Sequence, residues 1–411
     1  NRDGYFVISN IPNGDYEINA TMIGYGLFKQ DINIIEDKPV RLDIRLIEEV
    51  IQTSEVLVTA ERQKFERSME SSQISLDIRE INSAPAFIEP DVFRTLQMLP
   101  GVQTTSDFSS ALYVRGSTPD QNLIMLDGIA VYNPYHLGGI FSTFNTDAIK
   151  EADFHAGGFP ARYGGRMGAI LNVLNREGNT GEVKGSANIS LISSKGLIEG
   201  PLPNWKGMKG SWMVSGRRTY FDTVIDALKI PIGQRSDGSN IYFQFPYHFY
   251  DYQVKVNLDV DQDHRLTYSR FYGDDIVDFS FQETLEYSGA SVDVESKTGF
   301  GVKWPWGNHT NGLTWRWIIA PDIVAKTFLS HSRYRFDFEL NSLDRNTYTF
   351  TDSTIVLFSD ITFRAFDIIK DNTLETELTW QAAQDHTVTS GFQVKDVNFN
   401  LGLDISFATQ D

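Results

Sequence analysis

Apolar and polar residues alternate along the C-terminal half of the chain with the two-residue period of a strand. Tyr252, Val254, Val256, Leu258 and Val260 alternate without a break against Gln253, Lys255, Asn257, Asp259 and Asp261. Val183, Ala187, Ile189 and Leu191 alternate with Lys184, Ser186, Asn188 and Ser190, and Tyr334, Phe336, Phe338 and Leu340 with Arg333, Arg335, Asp337 and Glu339. Successive strand side chains point to opposite faces, so each run predicts an antiparallel strand with one apolar and one polar face. Roughly ten such strands fit into residues 179–411. Strands of about ten residues with an aromatic-rich apolar face suit a barrel with lipid outside and water inside, although a water-soluble antiparallel sheet alternates in the same way. Trp304, Trp306, Trp315 and Trp317 are candidates for an interfacial girdle or for core positions.

Three regions precede the alternating half. Residues 1–48 read as a small β module: Tyr5–Ile8 and Tyr16–Ala20 flank Ile11-Pro12-Asn13-Gly14-Asp15, and Asn-Gly is a strong hairpin signal. A third strand is expected after Gly24-Tyr25-Gly26, and a fourth at Val40, Leu42, Ile44 and Leu46. So few strands make half a sandwich, so earlier strands are expected to be missing. In residues 49–68, charged stretches surround the β-prone run Glu55-Val56-Leu57-Val58-Thr59-Ala60, which reads as an ordinary junction strand or as a free segment able to extend a partner's sheet. In residues 69–178 a helix is expected over Pro90–Leu99, with Pro90 in its first turn and Pro100-Gly101 as its stop. β-type pieces follow at Leu112–Gly116, Asn122–Gly128, Ile129–Tyr132 and Asp147–Phe154. The region ends in FHAGGFPARYGGRMGAILNVLN, where glycine density signals sharp turns or close backbone approach.

Composition narrows the chemistry. A net charge of -18 over 411 residues argues against nucleic acid as a partner. Absence of cysteine removes disulfides, zinc-thiolate sites and a cysteine nucleophile. No apolar run reaches the length of a membrane-spanning helix, which leaves a transmembrane barrel open. The seven histidines, at 136, 155, 248, 264, 309, 331 and 386, form no ligand spacing, and no phosphate-binding loop, GxSxG elbow or HExxH pair occurs. Asp259-Val260-Asp261-Gln262-Asp263 imitates a calcium loop but has His264 and Arg270 where that loop needs Gly and Glu. We expect no enzyme activity, no cofactor and no metal site.

Two resemblances add to this reading. DGYFVISNIPNGDYEINATMIGY resembles the carboxypeptidase-regulatory-like (transthyretin-like) domain that precedes many outer-membrane receptors. The succession LPGV, a serine-rich loop, VRG, LDG and GGFPARYGG with an apolar strand resembles the plug domain of TonB-dependent outer-membrane receptors. Glu55–Ala60, by its position ahead of the plug, resembles their TonB box. The resemblance implies a mainly β chain made of a partial β-sandwich (1–48), a linker with the TonB-box-like segment (49–68), a mixed α/β plug (69–178) and the first part of a 22-stranded barrel (179–411), incomplete at both ends. It implies import of a siderophore, cobalamin, oligosaccharide or peptide across a Gram-negative outer membrane, with the N-terminal module and the TonB-box-like segment in the periplasm. TonB with its ExbB/ExbD energy supply, membrane lipid, the small-molecule or oligosaccharide ligand and a surface lipoprotein are the implied partners. Loops Thr104–Ser110 and Tyr132–His136 would face the ligand, through Asp107, Phe108, Tyr132, Asn133, Tyr135 and His136. Arg115, Gly116, Asp127, Gly128, Gly157, Gly158, Arg162, Tyr163, Gly164, Gly165 and Arg166 would be structural, with the three arginines as candidates for ion pairs to the barrel. Ala156 departs from the basic residue often found before the glycine pair. A surface adhesion or carbohydrate-binding protein of tandem β domains is the alternative, and it has no use for the plug motifs.

Overall fold

A computed structural model describes residues 6–8, 11–20, 27–35, 40–46, 73–85, 89–106, 109–190, 192–204, 207–234, 240–242, 246–289, 291–383 and 386–410. Strands account for 66% of the described residues and helices for 8%, so the fold is mainly β. Strands β1 (Gly14–Ala20) and β2 (Phe28–Ile34) form an antiparallel pair. Gly14 therefore opens a strand whose partner follows it, instead of turning the chain back onto residues 5–8 as expected. Residues 40–46 carry no strand. Leu42, Ile44 and Leu46 are half-buried between exposed Arg41, Asp43 and Arg45, so the alternation is present without a ladder. Alternation provides two faces, but a strand also needs a neighbour for its N–H and C=O groups. The expected linker at 49–68, including Glu55, Val56, Leu57, Val58, Thr59 and Ala60, lies outside the described residues, as do Asp107 and Phe108.

A five-stranded sheet forms an inner unit. It contains β3 (Gln73–Asp77), β6 (Leu123–Leu126), β7 (Ile129–Ala130), β10 (Ile149–His155) and β11 (Ile170–Asn175) in the order β3-β10-β11-β6-β7. The β10 strand runs antiparallel to both neighbours, and β11 runs parallel to β6. Helix α1 (Ile78–Ser83) starts in a capping box formed by Asp77 and Glu80. Helix α2 (Val92–Gln97) buries Val92, Phe93 and Leu96 against Phe144, Phe154 and Leu126 in one core. It begins after Pro90, because the Asp91 carboxylate accepts the backbone N–H groups of Phe93 at 2.8 Å and Arg94 at 3.2 Å and so makes Asp91 the N-cap. The pairs β4 (Val102–Gln103) with β5 (Tyr113–Val114), and β8 (Tyr135–His136) with β9 (Phe141–Ser142), complete the unit.

A second sheet forms a wall. Its nine antiparallel strands are β12 (Lys184–Ile189), β13 (Ser193–Pro201), β14 (Lys209–Thr219), β17 (Tyr247–Asp259), β18 (His264–Ser288), β19 (Asp293–Ala320), β20 (Ile323–Thr349), β21 (Thr354–Ala383) and β22 (His386–Gln410). Between β14 and β17 stand helix α3 (Phe221–Leu228) and the pair β15 (Pro231–Gln234) and β16 (Asn240–Tyr242). The five strands from β18 onward are 25 to 30 residues long, not about ten. Register explains the difference. The ladder continues where the apolar run on one face stops, held by cross-strand pairs such as Phe281 with Phe300 and Phe279 with Val302.

The inner unit decides which face of the wall is which. Asp251, Gln253, Lys255 and Asn257 of β17 point toward it and are buried. Val254, Val256 and Leu258 point away, as do the largely exposed Leu313, Trp315, Leu329, Leu374, Trp380, Phe392 and Val394. Trp304 and Trp306 belong to the inward face, where Trp306 packs in a cluster with Phe141, whereas Trp315 and Trp317 stack on one another at 5.8 Å on the outward face. Farther along the long strands the faces exchange character. Val277, Phe279, Trp304, Phe338, Phe363 and Leu403 now share the inward face, while Asp278, Lys303, Glu339, Arg364 and Asp404 form one outward row of alternating charge across five strands.

Candidate functional site

The interface between the inner unit and the wall holds the densest set of buried charges. At its centre the end of β8 presents His136, which is 1% exposed and stacks on Phe249 at 3.9 Å. Nε2 of His136 lies 2.8 Å from Asp251 Oδ1, and Nδ1 lies 2.5 Å from Asp275 Oδ2. Both ring nitrogens face carboxylates, an arrangement that the doubly protonated ring satisfies with two donors. Burial disfavours the imidazolium, but the charges of Asp251 and Asp275 outweigh it and raise the pKa from 6.5 to about 9. Arg217 completes the balance, donating to Asp251 Oδ2 through Nε at 2.7 Å and to the Ser142 carbonyl through Nη2 at 3.1 Å. Tyr247 donates its hydroxyl proton to Asp275, and the backbone N–H of Leu137 reaches Asp275 Oδ1 at 3.0 Å. Two cations thus face two anions in a volume closed to solvent, with further donors on the remaining lone pairs. That is the condition under which buried charges are tolerated.

Five other residues of the inner unit make contacts around this latch. Glu89 accepts from Lys195 at 2.8 Å and from the Ser193 hydroxyl; burial opposes its ionisation, and Lys195 overcomes that and lowers its pKa. Asp127 accepts from Lys255 Nζ at 2.7 Å and from the Asn175 backbone at 3.0 Å. Tyr132 donates to Asp371 at 2.8 Å, and Asn133 Nδ2 donates to the Tyr334 hydroxyl at 3.2 Å. Arg162 reaches Glu375 at 2.9 Å and Glu377 at 3.3 Å near the surface.

Local chain chemistry positions these groups. Asp127 and Gly128, at φ +51° and +82°, form the two-residue turn joining β6 to β7, which leaves the Asp127 carboxylate free to face β11 and β17. Arg115 and Gly116, at φ +49° and +86°, make a second left-handed pair after β5. A Cβ on Gly168 would fall 2.5 Å from both Asn122 Oδ1 and Ser117 Oγ, so the chain needs glycine there to approach the loop beneath it.

Of the residues singled out by sequence, Tyr132, Asn133, Tyr135 and His136 come together in the interface. Tyr132 and Asn133 are half-buried, Tyr135 packs on Phe93 at 5.2 Å between ring centroids, and His136 is closed to solvent. Arg162 pairs with the wall and lies 5.4 Å from the Tyr163 ring. Arg166 donates to the neighbouring Gly165 carbonyl, and neither it nor Arg115 has an acidic partner among the described residues. Gly157 and Gly158 adopt φ +116° and +62°, Gly165 adopts +76°, and Gly164 stands in open space. Ala156 is buried in the inner core, where a charged side chain would lose its hydration. The wall residues Arg217, Tyr247, Asp251, Lys255 and Asp275 escaped sequence reasoning. Only Lys255 carried a signal, as a member of the polar face of the recognised run at 252–261; the other four lie outside the recognised runs.

Residues 73–170 match the family model described as the TonB-dependent Receptor Plug Domain. The matched residues make up most of the inner unit, here called the plug segment. Among solved structures, the chain is similar to the ferric enterobactin receptor of Pseudomonas aeruginosa at 12% identity and a TM-score of 0.36, covering 83% of this chain and 60% of that one. It is similar to the siderophore receptor PirA of Pseudomonas aeruginosa at 11% identity and a TM-score of 0.34, covering 81% and 92%. The outer membrane transporter YddB of Escherichia coli matches at 9% identity and a TM-score of 0.36, covering 81% and 58%. The chain thus spans about 60% of the length of the enterobactin receptor.

Proposed function

We propose that the chain is the plug and part of the barrel wall of a TonB-dependent transporter of a Gram-negative outer membrane. The observation that carries this reading is the plug segment held by buried, hydrogen-bonded charges against the polar face of a sheet whose other face presents leucine, valine and tryptophan. In this reading residues 1–48 are the regulatory-like module, 49–68 the linker, 69–178 the plug and 179–411 the wall, with 1–68 in the periplasm. The cargo belongs to the classes such plugs serve: siderophore, cobalamin, oligosaccharide or peptide. It docks above the plug near Thr104–Ser110 and Tyr132–His136, and a surface lipoprotein is a further partner. TonB pairs with Glu55–Ala60 by strand addition and pulls, an order–disorder switch driven from the periplasm. Because His136 is enclosed, it acts as a bolt in the resting state, and the cargo meets Tyr132 and Asn133 first.

Deletion of Glu55–Ala60 from the full-length protein tests the coupling. Uptake is expected to fall to background while cargo binding persists, and unchanged uptake would refute the assignment. The adhesion alternative separates by extraction: a barrel requires detergent and shows heat-modifiable gel mobility, whereas soluble tandem domains do neither.

A further inference from the structure

The outward face of the wall carries a place where charge is not balanced. The register aligns Tyr272, His309, Arg333, Lys370 and Asn398 in one row across β18 to β22. Arg333 and Lys370 are directly opposite on neighbouring strands, and like charges so placed repel. Neither has an acidic partner among the described residues, and the Arg333 Nε has no hydrogen-bond partner. The rows beyond it are neutralised: Arg335 lies 3.0 Å from Asp274, and Arg364 lies 2.7 Å from Asp337. In a chain with a net charge of -18, two adjacent unmatched cations call for an anion supplied from outside.

The surface just below that row says what kind of anion. An open groove of about 490 Å³ crosses β18 to β22 there, with Tyr268 at its β18 rim. Leu313, Leu329, Leu374 and Val394 line its apolar end, and Asn311, His331 and Asn372 line its polar end, with His331 Nδ1 2.7 Å from Asn372 Oδ1. Asp396 stands at the β22 rim and makes no ion pair among the described residues. Along β20 and β21 the sequence of surfaces is therefore apolar at Leu329 and Leu374, uncharged polar at His331 and Asn372, and cationic at Arg333 and Lys370. That order matches an acyl chain, a glycerol or sugar linkage and a phosphate.

We propose that this face is a binding site for one phosphorylated lipid of the surrounding leaflet, with its phosphate between Arg333 and Lys370 and its chain along Leu329, Leu374 and Val394. The proposal rests on the reading of the wall as membrane-spanning. The site is separate from the cargo path, because its residues point away from the plug. It fixes the height of the wall in the membrane by holding one headgroup at the upper edge of the apolar band, in the manner of interfacial basic anchors.

The test uses full-length protein in nanodiscs of phosphatidylcholine doped with phosphatidic acid, with retained lipid read by native mass spectrometry. Retention of phosphatidic acid over phosphatidylcholine is expected. Lys370→Gln and Arg333→Gln should each lower it about fivefold, the two together more. Inorganic phosphate at matching concentration should leave the lipid in place. Equal retention by the double variant overturns the site, and displacement by inorganic phosphate overturns the lipid as its occupant. Both side chains face outward, and a heat-modifiable gel shift verifies that each variant is folded. Failure of the wild type itself to enter nanodiscs, or to show that shift, refutes the membrane reading and takes this proposal with it.

Discussion

Nε2 of His136 lies 2.8 Å from Oδ1 of Asp251, bringing together residues 115 apart in the chain. With Asp275 on its other nitrogen, His136 ties the plug to two neighbouring wall strands at once. The tie depends on a proton. The pKa is raised from 6.5 in the free state to about 9 in the docked state, so the contribution is complete below pH 6.5 and disappears as pH rises through about 9. Asp251, Asp275, Arg217 and Tyr247 are the titratable groups facing the ring, and Arg217 stays charged throughout this window.

Hydrogen-exchange protection of residues 134–142 should therefore be constant from pH 5 to about 6.5, after correction for the intrinsic exchange rate, and decline toward about pH 9. His136→Gln should flatten the profile. A decline that persists in that variant would place the titrating group elsewhere.

Removing one member of the buried set leaves a charge without compensation. Asp251→Asn strips the partner shared by His136 and Arg217, and a loss of about 3–5 kcal/mol in plug docking is expected. Urea titration of plug protection in the detergent-solubilised protein measures it. A loss below about 1 kcal/mol would mean that water reaches the cluster.

Lys255→Met tests the turn at Asp127. The substitution keeps the aliphatic stem and deletes the ammonium that lies 2.7 Å from the Asp127 carboxylate, which keeps Asn175 as its other donor. Destabilisation of about 1–3 kcal/mol is expected, smaller than for Asp251→Asn, because a backbone and a side-chain donor remain.

Arg162→Ala offers the contrast. Its side chain is 32% exposed beside Glu375 and Glu377, so solvent screens the pair and the expected loss is below about 1 kcal/mol. Equal effects at Arg162 and at Asp251 would contradict the division into a buried latch and a surface pair.

Much of this architecture was legible in the residues themselves. Strand period, the LDG turn, the glycine-rich plug exit and the antiparallel wall follow from short-range rules, because alternation, left-handed turn residues and caps act over a few positions. The Pro90 start of α2 failed only by two residues, since which side chain reaches the first free N–H groups is settled by geometry and not by propensity. Partnership was not legible. The sequence by itself determined that β17 has one polar face carrying Gln253, Lys255, Asn257 and Asp259. Only the tertiary structure decided that this face turns toward the plug, that Asp251 meets His136 and Arg217 there, and that Lys255 meets Asp127. The same holds for the wall's inward face, which is polar at Asp251 and Asn308 and apolar at Phe279 and Phe338. Alternation specifies that two faces differ, whereas long-range packing assigns each its environment, and the contacts of Asp251 with His136 and of Lys255 with Asp127 that do so join residues more than a hundred apart.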